Sequence, residues 1–320
     1  MSTIEQALAK IQREHLADAA AALRATEEPA PAFATGDAPP EPRGARRRAP
    51  SFAEGAAVKL PFERMRELSL LTPDASRSHL AEEYRAIKRP LLRNIDGKGA
   101  ETVANANLIM VTSAMPGEGK TYTAINLAMS IAMEKDRTVL LVDGDVAKPS
   151  VASRLGIETG QGLIDVLASD RQLDVAEVML RTNLPNVRFL PAGRSHDRAT
   201  ELLASEDMAA LMAEFSTRYR DRVVIFDSPP LLLTSESSVL ASMMGQVVLI
   251  VAAQQTPQYL VKDAIARLGE EQIVGLVLNK FRPSLGNRYG AGYGYGYYGK
   301  GRYGYRDETP EPQPDDARQL

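Results

Sequence analysis

Lys120 and Thr121 close the run Ala114-Met115-Pro116-Gly117-Glu118-Gly119-Lys120-Thr121, in which two glycines precede a cation and a hydroxyl. Residues of these types at this spacing suit one task. Backbone N–H groups around Gly117 and Gly119 can cradle phosphate oxygens, Lys120 can reach a β- or γ-phosphate, and the Thr121 hydroxyl can ligate Mg²⁺. Three further carboxylates, Asp143, Asp145 and Asp227, offer the oxygen ligands that a hard divalent cation takes. Far downstream, Tyr289, Tyr293, Tyr295, Tyr297, Tyr298, Tyr303 and Tyr305 sit among seven glycines, so one stretch holds seven of the eleven tyrosines. A phosphate loop and a cluster of phenols thus occur in one molecule.

The elements that must position these groups are visible in the apolar runs. Residues 108–111 read as a strand leading through Thr112 and Ser113 into the loop, and 124–132 read as the helix that follows. Ala114 stands where the usual first Gly of the Walker A pattern would be. Residues 139–142 form a second apolar run ending in Asp143-Gly144-Asp145, and 223–226 a third ending in Asp227-Ser228-Pro229-Pro230. A lone Asp after a strand is usually a helix cap or turn residue. Three of them beside such a loop favour a Mg²⁺–nucleotide site, because open parallel sheets bind ligands beyond the carboxyl ends of their strands. Residues 273–278 end in Asn279-Lys280, which would contact the adenine. The nucleotide-contacting set expected is Met115, Pro116, Gly117, Glu118, Gly119, Lys120, Thr121, Tyr122 and Asn279. The fold class expected is α/β, a P-loop NTPase-type, mostly parallel sheet flanked by helices, with a disordered N-terminal linker and a flexible Tyr/Gly-rich tail.

Composition bounds the alternatives. The 320 residues carry 38 Lys and Arg against 41 Asp and Glu, a formal charge of −3 that gives no global pull toward nucleic acid. There is no cysteine, hence no disulfide framework, thiol nucleophile or cysteine metal site. His15, His79 and His196 are far apart in sequence, which suits exposed or capping roles better than metal ligation. No apolar run nears the length of a membrane span and no signal peptide opens the chain, so a cytoplasmic location is expected. Organisation is read as a short amphipathic helix in 1–27, a Pro/Ala/Arg linker in 28–57, a nucleotide domain in 58–282 and the Tyr/Gly-rich tail with an acidic end in 283–320. Ile4, Leu8 and Ile11 give the first segment its helical spacing; a marginally helical tail and a docking helix for a membrane partner both fit it.

Taken together, the Walker A loop, the Asp-x-Asp strand end, the Asp-x-Pro-Pro strand end and the tyrosine cluster resemble the bacterial tyrosine kinases (BY-kinases), over residues 78 to 305. More narrowly, the run from Asp143 through Ser150, Pro191-Ala192-Gly193 and Ala199-Thr200-Glu201-Leu202-Leu203 resemble the exosortase A-associated tyrosine autokinases of exopolysaccharide clusters. The resemblance implies an ATP- and Mg²⁺-dependent kinase in which Lys120 neutralises phosphate charge, Asp143 accepts the tyrosine proton, and Thr121, Asp145 and Asp227 hold the metal. It also implies a tail phosphorylated within a homo-oligomer, a polysaccharide co-polymerase (chain-length determinant) as membrane partner that recruits the protein to the inner face of the plasma membrane, and a cognate phosphotyrosine phosphatase. Glu82, Arg85 and Lys88, three apart within 78–95, resemble the family's Glu-x-x-Arg-x-x-Arg self-association helix, with Lys88 in its last place, and read as one charged stripe.

Two departures keep other functions open. Met115 stands where partition-type ATPases carry a signature Lys, which counts against a partition- or MinD-like ATPase. Ala147 stands where the family has Arg, with Lys148 next, and Lys does not reproduce a planar guanidinium fork. A nucleotide-gated scaffold with little kinase activity is the alternative this leaves.

Overall fold

The computed structural model describes residues 56–99, 102–169, 172–218, 222–269 and 272–281. The expected N-terminal helix, most of the linker and the tyrosine cluster lie outside those residues.

The chain opens with β1 (Ala57–Val58), α1 (Phe62–Glu67) and α2 (His79–Ile95), then runs through β2 (Leu108–Ser113), α3 (Lys120–Ala132), β3 (Thr138–Asp143) and α4 (Val151–Leu155). Three short elements, α5 (Leu163–Ala168), α6 (Val175–Val178) and β4 (Leu180–Thr182), precede β5 (Val187–Leu190). After α7 (Ala199–Leu203) and α8 (Glu206–Arg218) come β6 (Arg222–Asp227), α9 (Glu236–Ser242), β7 (Gln246–Ala252), α10 (Gln258–Ala266) and β8 (Ile273–Asn279). The strands form one eight-stranded sheet in the order β1-β4-β5-β3-β6-β2-β7-β8. All neighbours run parallel except β4 and β5.

Nearly unbroken apolar strands are what a sheet covered on both faces requires. Side chains alternate between the faces with period two. Leu108, Met110, Leu140, Val142 and Phe226 pack into one core with α5, α8 and α9. Ile109, Val111, Leu141 and Ile225 pack into the other with α2 and α3. Each such side chain, fully buried, contributes about 1.5–3 kcal/mol, so the sheet centre is the rigid frame from which the strand ends project.

Helix α2 is bound into that frame. Ser78 caps it, its Oγ accepting from the Ala81 N–H at 3.2 Å. Tyr84, Lys88 and Leu91 form its buried face. The Lys88 ammonium donates to the Ser130 carbonyl at 2.6 Å and pairs with Glu134 at 2.6 Å, both at the end of α3. One turn further along α2, buried Gln246 donates to the Leu91 and Ala106 carbonyls and accepts from Asn94.

This corrects the expected stripe of Glu82, Arg85 and Lys88. Steps of three residues fall about 60° short of a turn, so Lys88 lies about 120° around the helix from Glu82. Glu82 is exposed, the Arg85 guanidinium is shared between Glu82 and the Ser76 carbonyl, and Lys88 is only 4% exposed. Among the described residues, no helix is long and apolar enough to cross a membrane. Replacing Lys88 by Met should lower folding stability by about 1–3 kcal/mol, read from the urea midpoint, because a charge-assisted bond between two packed helices is lost.

Candidate active site

In register, Asp227 of β6 lies opposite Asp143 of β3, where both strands end, and opposite Val111 of β2, which runs two residues further to Ser113. The loop from β2 to α3 crosses this rim. Gly117 (φ +80°) and Gly119 (φ +106°) take left-handed backbone that other residues adopt only with strain. Gly119 is constrained twice, since a Cβ there would meet the Asn279 side chain at 2.1 Å.

The interior of the loop is held by Glu118. Its carboxylate is buried, accepting from the Met115 N–H at 2.7 Å and the Ala252 N–H at 3.3 Å, and also from the Thr256 hydroxyl. The Met115 N–H is thereby occupied, and Pro116 has none. Two carbonyls on the outer side are held from β8: Lys280 Nζ donates to Gly117 at 2.6 Å and Asn279 Nδ2 to Glu118 at 2.8 Å. Helix α3 starts at Lys120. Its first-turn N–H groups, without intrahelical acceptors, present the positive end of the helix dipole to whatever fills the loop.

Charge is concentrated just beyond. Lys120 Nζ pairs with Asp145 Oδ2 at 2.9 Å, and Asp145 Oδ1 accepts from the Lys148 N–H at 3.2 Å. The Thr121 and Ser150 hydroxyls are 3.0 Å apart. Asp143 Oδ2 accepts the N–H groups of Ser150 and Val151, each at 3.0 Å. Asp143 Oδ1 and both oxygens of Asp227 are buried with no hydrogen-bond partner. Burial pushes the Asp143 carboxyl up to about 6, against the two N–H groups that favour its charge. Burial also pushes Asp227 up to about 7, offset in part by the charge of Lys120.

Three buried carboxylate oxygens without donors are acceptors awaiting a positive partner. Among the described residues the acidic groups do not themselves close into a metal cage. A Mg²⁺ ion does not need one, since it binds through one or two carboxylates, waters and phosphate oxygens. The residues present therefore fit it: the unpaired oxygens of Asp227, beside Thr121 and Asp145, are groups that would hold such an ion.

Of the expected nucleotide-contacting residues, Gly117, Glu118, Gly119, Lys120 and Thr121 line the cradle through backbone or charge. The Glu118 side chain turns inward as a brace. The Tyr122 side chain points away from the loop, its hydroxyl donating to the Ser69 carbonyl at 2.7 Å. Asn279 touches the loop by its amide. Ala147 and Lys148 are exposed beside Asp145. Sequence reasoning did not single out Ser150 as a partner of Thr121, nor the brace made by Glu118; a carboxylate between two loop glycines carried no signal of its buried role. A depression of about 540 Å³, lined by Ala253, Gln254, Gln255, Lys280 and Phe281, opens beside the loop.

Comparison with known proteins gives this geometry a context. Residues 106–268 match the family model described as an AAA domain. The chain is 31% identical over 213 residues to the tyrosine-protein kinase YwqD of Bacillus subtilis, covering 66% of this chain and 85% of that one. It is 32% identical over 227 residues to the succinoglycan biosynthesis transport protein ExoP of Rhizobium meliloti, 69% of this chain but 27% of ExoP. EpsB of Ralstonia solanacearum is 32% identical over 216 residues, covering 67% of this chain and 28% of EpsB. The chain thus spans little more than a quarter of the length of these larger relatives. Among solved structures, the VpsO kinase domain superposes with a TM-score of 0.55 at 30% identity, covering 69% of this chain and 98% of that domain.

The raised carboxyl of Asp227 fixes the sign of a pH effect. Its value in the folded chain exceeds the ordinary 3.8, so between about pH 4 and 7 the folded state holds a proton that the unfolded state releases. The resulting cost is absent below pH 4 and full above 7. Without Mg²⁺, Asp227→Asn should be more stable than the wild type by on the order of 2–4 kcal/mol at pH 8 and by much less at pH 5, in urea titrations at each pH. Adding Mg²⁺ and ADP should stabilise the wild type at pH 8 more than the variant.

Proposed function

Since this chain belongs to the bacterial tyrosine kinases, with an AAA domain at its centre, we propose that it is an ATP-dependent protein-tyrosine autokinase that regulates exopolysaccharide polymerisation and export. Its acceptors are Tyr289, Tyr293, Tyr295, Tyr297, Tyr298, Tyr303 and Tyr305, modified in trans within a homo-oligomer. The observation that carries the reading is the meeting of Lys120 with Asp145 at 2.9 Å beside the buried Asp143 and Asp227, which keep three oxygens without a hydrogen-bond partner. The printed names of YwqD and ExoP, a tyrosine kinase and a polysaccharide transport protein, support the chemistry and the setting respectively.

The chain's own residues divide the work. Backbone N–H groups from the loop and the start of α3 hold the phosphates in line, and Lys120 leaves Asp145 to neutralise the charge that builds on the transferred group. A Mg²⁺ ion held by Thr121, Asp145 and Asp227 would supply the remaining neutralisation. The phenolic oxygen of a tyrosine bonds to the γ-phosphorus as the bond to the bridging oxygen of ADP breaks. The phenolic proton goes to Asp143 through its free Oδ1, whose raised affinity near neutrality suits a general base. The base of the nucleotide rests in the depression against Gln254 and Gln255.

Self-association uses the exposed Glu82 and the half-buried Arg85 of α2. Each phosphate adds about −1.5 to −2 charges to a tail that is otherwise basic between 282 and 306, so modification reverses its sign and drives the assembly apart. The membrane partner is a polysaccharide co-polymerase, a cognate phosphatase resets the tail, and the setting is an exosortase A-associated gene cluster. Ala147 favours one second reading, a nucleotide-gated scaffold, because no guanidinium stands at that position.

Labelled ATP with the full-length protein, Mg²⁺ and the co-polymerase segment should place phosphotyrosine within 289–305, and Lys120→Met should abolish it. Asp143→Asn should cut the transfer rate by about 10²–10⁴-fold while ADP still binds. Tight nucleotide binding without phosphotyrosine in the wild type would establish the scaffold instead.

A further inference from the structure

We propose that Lys280 and Asn279 are positioning residues that set the phosphate loop open before any nucleotide arrives, acting through the loop's carbonyls and not through the nucleotide base. The inference rests on the nucleotide reading above and adds how that site is shaped.

A peptide C=O points opposite to the N–H of the same trans unit, and no described peptide bond is cis. The Gly117 carbonyl shares its unit with the Glu118 N–H, and the Glu118 carbonyl with the Gly119 N–H. Lys280 Nζ holds the first carbonyl at 2.6 Å and Asn279 Nδ2 the second at 2.8 Å. Two consecutive carbonyls fixed toward β8 leave two consecutive N–H groups facing the other way, where an anion would lie. The buried Glu118 carboxylate braces the same stretch from behind through Met115 and Ala252.

The backbone shows what holds these donors in place. Ala252 and Asn279 are the last paired residues of β7 and β8, and the Ala253 N–H donates to the Asn279 carbonyl at 2.8 Å. One residue beyond, Lys280 turns to φ +58°, and Gln254, two residues past the end of β7, turns to φ +59°. Both are left-handed conformations without a glycine, the kind of local strain that persists where the surroundings over-determine it. The turn at Lys280 folds its side chain back onto the loop, and the Asn279 Oδ1 accepts the Lys280 N–H at 2.8 Å to secure it. A Cβ at Gly119 would displace the Asn279 amide from the loop, and the residue bearing it would have to adopt φ +106°.

This assignment separates from direct base recognition by which ligands lose affinity. With full-length protein, binding of ADP, inorganic pyrophosphate and adenosine is measured by calorimetry or by displacement of a fluorescent ADP analogue. Lys280→Met and Asn279→Ala should each weaken ADP and pyrophosphate by about tenfold or more, the loss of one charge-assisted or buried hydrogen bond. Adenosine binding should be unchanged, and Lys280→Arg, which keeps a donor at that reach, should restore ADP affinity to near the wild-type level. Lys280 is exposed, so its variants should melt with the wild type. Equal losses for adenosine and ADP, or no loss of ADP in either variant, would overturn the assignment and leave the nucleotide reading standing. A wild type that binds neither ADP nor pyrophosphate would overturn both.

Discussion

The fold is organised around an electrostatic demand: Asp227 is sealed from water with no donor on either oxygen. A buried, unpaired carboxylate costs several kcal/mol unless it is neutralised. Lys120 is the nearby charge that lowers this cost, yet its ammonium is bonded to Asp145. One cation is therefore divided among more anions than it can satisfy. Such a site is strained in isolation and relaxed when further positive charge enters, which makes the arrangement an affinity device as much as a structural one.

The rest of the architecture serves that rim. Because both faces of the sheet are filled by separate cores, backbone donors and carboxylates can meet only where the strands run out. The parallel register of β2, β3 and β6 ends Asp143 and Asp227 level with each other, two residues short of where β2 gives way to the phosphate loop. The loop is then held on two sides: Glu118 ties it to the end of β7, and Asn279 with Lys280 ties it to the end of β8. A glycine-containing loop is thus held in place by its own Glu118 and by side chains reaching it from the end of β8.

Much of this was legible in the residues because it follows period and spacing. The apolar runs ending in Asp143 and Asp227 gave strands, and a parallel sheet puts strand ends together. The loop announced itself by Gly117, Gly119, Lys120 and Thr121. What stayed hidden depends on tertiary direction. Lys88 looked like surface because charge usually is, but three-residue steps rotate it into the seam with α3. Tyr122 follows the Walker motif directly, yet helical rotation turns its ring toward Ser69. Glu118, flanked by glycines, reads as a loop residue until the Ala252 N–H and the Thr256 hydroxyl are found on its carboxylate. Local sequence specifies which groups exist; only packing specifies which way they face.

The inward turn of Lys88 has a mechanical consequence. Helices α2 and α3 are joined by an ammonium near the middle of α2 and share an apolar face, while Gln246 pins the C-terminal turns of α2 to the sheet. They will tilt as a single beam. A load applied to the outer side of α2, at Glu82 and Arg85, is carried without slack to the helix whose first residue is Lys120.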